Sequence, residues 1–329
     1  MSLSMASKIT QLPILKAADL EAYQTGSQWL IRDVWARNGI GVIGGPPKAC
    51  KSFFALDIAV SVATGTDCLD KFHVDDKGPA LVYFAEDAQP IVRTRVEALC
   101  RHRKLDVDKL DLHVITASSV RIDIKADQLG LVQAIEKIQP RLLLLDPLVR
   151  LHRLCENDAR EMSGLLGFLR DIQRKYGLAV ILVHHASKRY RSQPGFGLRG
   201  SSDIYAVGDS NAYIARRDGG KLLLTLEHRA APRTKPIPMV LANSGNPHLE
   251  VTSMPEDEET KTANTIYDAI VEKLKTRTSP ITRGALREEL CVNNKKLGDA
   301  LVVLEKQSVI ARSKKGWELV RGSQGRLGL

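Results

Sequence analysis

Aromatic residues are scarce in this sequence, 5% of 329 positions, while hydrophobic residues make up 43%. The core must therefore be largely aliphatic, and the profile is that of a globular chain with ample material to bury. No apolar run approaches the roughly 18 to 20 residues of a membrane span, and Met1 to Gln11 lacks the apolar stretch of a signal peptide. Both absences favour the cytoplasm and no membrane partner. Five cysteines, Cys50, Cys68, Cys100, Cys155 and Cys291, are scattered without any CxxC spacing, which argues against a disulfide framework and against a zinc site. Four of them read as small apolar fillers. Internal repeats and long low-complexity tracts are also missing.

The length suits one α/β domain of ordinary size and a smaller second one. A net charge of +10, with pI about 9.4, favours acidic partners, nucleic acid and nucleotide foremost. From Asn264 to the end there are 13 Lys/Arg against 7 Asp/Glu, a net of +6, leaving +4 for everything before it. The polar, acidic stretch TSMPEDEETKT from Thr252 reads as a linker. The chain thus divides into an N-terminal arm (1–28), a large domain (29–251), an acidic linker (252–263), a small basic domain (264–321) and a tail (322–329).

In the large domain, short β-rich runs alternate with helical patterns: Ile40 to Gly44, Ala80 to Ala85, Leu112 to Thr116, Leu142 to Leu145, Ala179 to Val183, Ala212 to Ala215 and Leu222 to Glu227. Continuous apolar strands such as LLLL and AVILV are buried on both faces, which predicts a mainly parallel sheet covered by helices, an α/β fold. The last two runs flank Asp218-Gly219-Gly220 and predict an antiparallel hairpin at the sheet edge. In the small domain, Thr265 to Leu274 carries Ile266, Ala269, Ile270 and Leu274 at helical spacing. Thr282 can cap a second helix to Leu290, and Asn293 or Asn294 a third to Lys306. Strand-like pieces Val309 to Ser313 and Trp317 to Val320 flank Lys314-Lys315-Gly316. Three helices and a hairpin form a winged-helix pattern, with Lys295, Lys296, Lys314 and Lys315 as candidate DNA contacts; a three-helix protein-interaction domain is the alternative.

Gly45-Pro46-Pro47-Lys48-Ala49-Cys50-Lys51-Ser52 follows a strand and opens the helical run that starts at Phe53. Strand, loop and helix in that order form the P-loop context, in which backbone N–H groups and the helix N-terminus hold phosphates. Lys51 is expected to reach the β- and γ-phosphates, and the Ser52 hydroxyl to ligate Mg²⁺. Cys50 stands where GxxxxGK[ST] has its second glycine, a position where a β-carbon threatens the approach to phosphate. Three readings stay open: a tolerated small residue, a weakened or dead hydrolase, and a residue altered from glycine. Asp146, ending the strand of four leucines, has the form of a Walker B ligand for Mg²⁺. Glu86, ending Leu81 to Ala85, is the candidate general base, with a solvated loop acid as the alternative. His184 and His185 end Ala179 to Val183; successive strand residues face opposite ways, so one can meet the nucleotide while the other packs. His185 is preferred.

GPPKACKS, LVYFAED, LLLLDPLVRLH, VILVHHASK and LRGSS, in this order, resemble the RecA-like ATPases of the plasmid RepA replicative-helicase type, across Trp29 to Ala230. The resemblance implies a RecA fold, ATP and Mg²⁺, and sites completed between subunits of a ring or filament. It matches Lys51 and Ser52 to the P-loop, Glu86 to the catalytic glutamate and Asp146 to the Walker B acid. His184-His185 match the nucleotide-sensing motif. Lys188 to Ser202 matches the DNA-binding loop, where Lys188, Arg189, Arg191 and Arg199 would meet single-stranded DNA. The arginine finger expected after Gly-Ser-Ser is absent, Asp209 standing in that region. Glu227-His228-Arg229 is similar to the later finger position of DnaB-type ring helicases, so Arg229 is the expected trans finger, with Arg216 and Arg217 as alternatives. Two functions compete: a DNA-dependent ATPase motor, and a nucleotide-switched regulator that binds DNA or protein. A kinase on the same chassis is disfavoured, because no lid or acceptor pocket is evident.

Overall fold

A computed structural model describes residues 14–20, 28–156, 158–185, 202–232, 234–242, 245–253, 257–277, 279–290, 292, 294–306, 309–313 and 315–320, with backbone only at 202–203, 218, 257–265, 295–296 and 306. The chain divides into two compact units, Met1–Thr252 and Ser253–Leu329. No helix among the described residues is long and apolar enough to cross a membrane.

In the first unit, β1 (Trp29–Ile31) and β2 (Trp35–Ala36) form a small antiparallel pair. There follow β3 (Ile40–Gly45), α1 (Lys51–Thr64), β4 (Ala80–Phe84), α2 (Gln89–Arg103), β5 (Leu112–Val114), α3 (Lys125–Ile138), β6 (Leu142–Asp146), α4 (Ala159–Tyr176) and β7 (Ala179–His185). A short α5 (Ser202–Ala206) precedes β8 (Ser210–Arg216), β9 (Leu222–His228), β10 (Ile237–Ala242) and β11 (His248–Val251). Nine strands make one sheet in the order β11-β10-β9-β8-β3-β7-β6-β4-β5. From β8 to β5 neighbouring strands run parallel; from β8 to β11 they run antiparallel.

Side-chain alternation sorts the central strands onto two cores. Ile43, Val82, Leu142, Leu144, Ile181 and Val183 pack with α1 and α2, while Val42, Leu81, Leu143, Leu145, Val180 and Leu182 pack with α3 and α4. The mainly parallel sheet expected from the apolar runs is therefore present, and both faces are covered. Helix ends follow local chemistry. The Asp158 carboxylate accepts from the N–H groups of Arg160 and Glu161 at 2.8 and 3.3 Å to open α4, and Gly177, left-handed at φ 60°, closes it.

Two expectations need correction. The hairpin of β8 and β9 forms around Asp218–Gly220, but it is not at the edge, because β10 and β11 extend the sheet beyond it. Pro238 lies inside β10 opposite Leu223, and a proline within an apolar run argues against a strand, which hid this element. The acidic linker is also shorter than expected, since the helix of the second unit begins at Asp257.

By itself, the second unit consists of α6 (Asp257–Lys275), α7 (Arg283–Leu290), α8 (Asn294–Lys306) and the antiparallel pair β12 (Ile310–Ser313) and β13 (Gly316–Leu319). The Thr282 hydroxyl accepts from the Ala285 N–H at 3.3 Å at the start of α7. Ile270, Leu274, Leu286, Leu297, Leu301 and Trp317 share one core.

One buried ion pair ties α1 to α2. Arg103 donates from Nη2 to both Asp57 oxygens at 2.8 Å, with side chains 4% and 2% exposed, and Asp57 also accepts from the Leu69 N–H at 2.9 Å. Removing one partner of such a pair strands the other charge. We expect Asp57→Ala to destabilise the protein by about 3 to 5 kcal/mol, measured by urea denaturation; a loss near that of a surface substitution would show that the pair does not brace the two helices.

Candidate functional site

The carboxyl ends of the parallel strands meet at one edge. Register sets Gly45 beside His185 and Phe84 beside Asp146, so the loop after β3, the turn after β4 and the end of β6 converge there. Gly45 (φ 157°) is required by its neighbour: a β-carbon would lie 2.4 Å from the Ile214 carbonyl oxygen of β8. The P-loop crosses from there to α1 with Pro46, Pro47 and Lys48 exposed, Ala49 buried, and Cys50, Ser52 and Phe53 half-buried. Cys50 sits at φ 58°, ψ 26°, immediately before the helix. That left-handed conformation costs a non-glycine residue about 1 to 2 kcal/mol, so the backbone is built for the glycine that the sequence lacks.

Lys51 is 4% exposed, and its ammonium turns back to donate to the Pro46 carbonyl at 2.8 Å. Burial pushes its pKa down to about 8, opposed by the charges of Asp146, Cys50 and Glu86. Asp146 is 6% exposed, and burial pushes its pKa up to about 6; the Ser52 hydroxyl's hydrogen bond and Lys51 oppose that rise, while Asp87 and Glu86 add to it. These mutual influences show that Lys51, Ser52, Glu86 and Asp146 lie close together. Asp146 Oδ2 is shut off from solvent and has no hydrogen-bond partner. An orphaned buried carboxylate oxygen beside a serine hydroxyl and a buried ammonium fits Mg²⁺ with a polyphosphate, because a cation and an anion would satisfy what the protein leaves unmet.

The two histidines face opposite sides of the sheet. His185 shares the α1 side of β7 with Ile181 and Val183, the side on which Asp146 follows Leu142 and Leu144. His184, 1% exposed, has the opposite parity and lies 3.7 Å from Glu156, which is 3.9 Å from His152. Glu86 is exposed after β4, and its Oε1 accepts from Arg150 Nε at 2.7 Å. Sequence reasoning missed three neighbours. Asp87 is held by Arg95 at 2.5 and 3.2 Å, Arg95 lies 5.0 Å over the Phe53 ring, and Arg150 reaches Glu86. An acid directly after Glu86 is the signal that was available; Arg95 and Arg150 carried none.

The structure does not bring Arg229 to this site. β8 starts beside the amino end of β3, where Asp209 exchanges backbone and side-chain bonds with Ile40, and the Arg229 N–H donates to the Asp209 carbonyl at 2.8 Å. The Arg229 guanidinium contacts Asp209 at 3.3 Å and the Ala206 carbonyl at 2.9 Å. At about 3.3 Å per residue it lies roughly a strand's length from the P-loop of its own chain. Arg216, by contrast, ends β8 on the P-loop side, and its charge is felt by the Cys50 thiol. Arg217 follows it at the hairpin turn. Lys188, Arg189, Arg191, Arg199 and Lys314 lie outside the described residues, as do the side chains of Lys295 and Lys296; Lys315 is exposed at the turn between β12 and β13.

A model of the AAA domain matches residues 6–191, more than half of the sequence. The chain belongs to the AAA domain family. Among solved structures, this AAA domain protein is similar to an ATPase domain with 14% identity and a TM-score of 0.50 over 65% of this chain and 86% of that one. It is also similar to a DnaB-like replicative helicase solved for its interactions with primase, with 15% identity and a TM-score of 0.50 over 64% of this chain and 57% of that one. At such identities the likeness concerns the fold, which is that of a RecA-like P-loop ATPase.

If Lys51 and Asp146 bind the nucleotide, their charges are expected to set a pH window for binding by this AAA domain. Asp146 loses its charge as pH falls through about 6, and Lys51 loses its charge as pH rises through about 8. Mg²⁺-nucleotide affinity should be highest between those values and fall about tenfold per unit beyond each, read by titration with a fluorescent ATP analogue. Removing Mg²⁺ with EDTA should flatten the acid limb alone. A profile level from pH 5 to 9 would take both residues out of the site.

Proposed function

We propose that this protein is an oligomeric ATPase acting on DNA, a helicase or strand-handling motor of the plasmid RepA replicative-helicase type, from a plasmid or mobile element. The observation that carries the reading is the assembly of Lys51, Ser52 and Asp146 at the sheet's carboxyl edge with Glu86 beside them. Lys51 leaves the Pro46 carbonyl for the β- and γ-phosphates. Ser52 and Asp146 hold the metal, and Gly45 to Phe53 wrap the phosphates. Bound Mg²⁺ neutralises charge on the phosphate oxygens. Glu86 takes a proton from the attacking water, and His185, on the P-loop side of β7, contacts the γ-phosphate.

Arg229 lies far from its own P-loop, so in this reading it serves a neighbouring subunit of a ring or filament. The solved ATPase domain and the DnaB-like helicase support this direction by fold only. Lys188, Arg189, Arg191 and Arg199 bind single-stranded DNA phosphates. The second unit, read as a winged helix, presents Lys295, Lys296, Lys314 and Lys315 to duplex DNA, consistent with its helix, helix, helix, hairpin order.

Cys50 favours a second reading, a nucleotide-switched regulator. A side chain in a left-handed position beside the phosphates weakens turnover more readily than binding. Steady-state hydrolysis by the wild type, Cys50→Gly and Glu86→Gln, each with and without single-stranded DNA, separates the two. We expect DNA-stimulated turnover, faster in Cys50→Gly, and retained ATP binding with turnover reduced at least about 100-fold in Glu86→Gln. Binding without turnover in both wild type and Cys50→Gly would leave the regulator. For the second unit, Lys314→Glu with Lys315→Glu should weaken duplex binding at low salt; unchanged affinity would point to protein docking.

A further inference from the structure

We infer that Arg150 is a positioning residue for Glu86, fixing the carboxylate that receives the proton of the attacking water. The inference rests on the reading of Glu86 as general base. The Glu86 main chain leaves β4 well anchored, since the Ala85 N–H donates to the Asp146 carbonyl at 2.7 Å. Its side chain is not anchored in the same way. The carboxylate is 45% exposed, and among the described residues its hydrogen bond is to Arg150, Nε to Oε1 at 2.7 Å. Freed of that contact, an exposed glutamate samples several rotamers, and few of them aim an oxygen at one water.

Arg150 is well placed to remove that freedom. It closes the 3-10 turn Leu148–Arg150, only four residues after Asp146, and the flanking Leu148 and Leu151 are fully buried. The Arg150 N–H donates to the Pro147 carbonyl at 3.1 Å, and the Leu151 carbonyl accepts from the Ile122 N–H at 2.8 Å. The turn is therefore held to the core while the guanidinium projects outward, its side chain 62% exposed. One segment thus carries both Asp146 and the arginine that orients Glu86. The contact is made through Nε to a single oxygen, which leaves Oε2 outside the pair to take the proton.

The test is ATP hydrolysis by the full chain as wild type, Arg150→Ala, Arg150→Lys, Glu86→Gln and the double variant Arg150→Ala with Glu86→Gln. Single-turnover conditions with protein in excess bring a slow enzyme within range. Because Arg150 is exposed, the substitution leaves the core intact, checked by thermal melting. Arg150→Ala should lower the limiting single-turnover rate about tenfold with the half-saturating protein concentration within about twofold, as loss of orientation does. Arg150→Lys should restore part of it. In the Glu86→Gln background the same substitution should change nothing, because its effect passes through Glu86. An equal loss in both backgrounds, an unchanged rate, or a faster one, as a contact that restrains Glu86 would give, overturns the positioning role alone. Wild-type turnover by Glu86→Gln overturns the general-base assignment itself, and Arg150's role with it.

Discussion

Lys51 and Asp146 are buried together at the carboxyl edge of the sheet, and the rest of the site follows from keeping two opposite charges there. Each is pushed toward its neutral form by burial, and each is pulled back by the other. Neither is fully satisfied by the protein: Lys51 settles for a loop carbonyl, and one Asp146 oxygen has no donor. Between α1 and α2, by contrast, Arg103 Nη2 donates to both Asp57 oxygens, although the buried Nε of the same guanidinium has no hydrogen-bond partner. The contrast within one domain separates a brace from a binding site. Of these two buried carboxylates, Asp57 has donors on both oxygens, whereas Asp146 keeps one oxygen without a donor.

That incompleteness depends on backbone positioning set elsewhere in the sheet. β3 aims the P-loop, and β8 lies so close beside it that a β-carbon at Gly41 would come within 1.6 Å of the Ser210 carbonyl and one at Gly45 within 2.4 Å of the Ile214 carbonyl. Where direct pairing of β3 with β8 is short, polar side chains complete the ladder, Asp209 accepting from the Ile40 N–H and Asn211 from the Val42 N–H. Cys50 is at odds with this economy of space. Its neighbours hold the loop in a conformation suited to glycine, and the loop keeps it with a cysteine in place. The surrounding strand and helix therefore determine the shape of the loop, and the residue at position 50 conforms to it.

Much of this was legible in the sequence because the informative features are local. A glycine-bounded loop between strand and helix, a carboxylate ending an apolar strand, and the two-residue alternation of β7 each lie within a few adjacent residues. Alternation alone puts His185 with Val183 and Ile181, and those two side chains do pack together on the α1 side. What was not legible depends on partners distant in sequence. Arg150 meets Glu86 across 64 residues, and Arg103 meets Asp57 across 46. Arginines in an amphipathic helix or beside an apolar turn look like solvated charges until the fold supplies the partner. β10 failed for a different reason: its proline suppresses the strand pattern, and tertiary pairing with β9 overrides that local signal.

The two ends of β3 also assign different work to the arginines of the β8–β9 hairpin. At the amino end, Asp209 gathers Arg170 at 2.5 Å, Arg229 at 3.3 Å and the Ile40 N–H at 3.1 Å. Arg229 is nevertheless 59% exposed and projects from the edge of the sheet that its own nucleotide would not reach. At the carboxyl end, Arg216 lies near the P-loop of the same chain. In the motor reading the exposed Arg229 is the candidate for a neighbouring subunit's site, with Arg216 and Arg217, at the other end of the hairpin, as the alternatives.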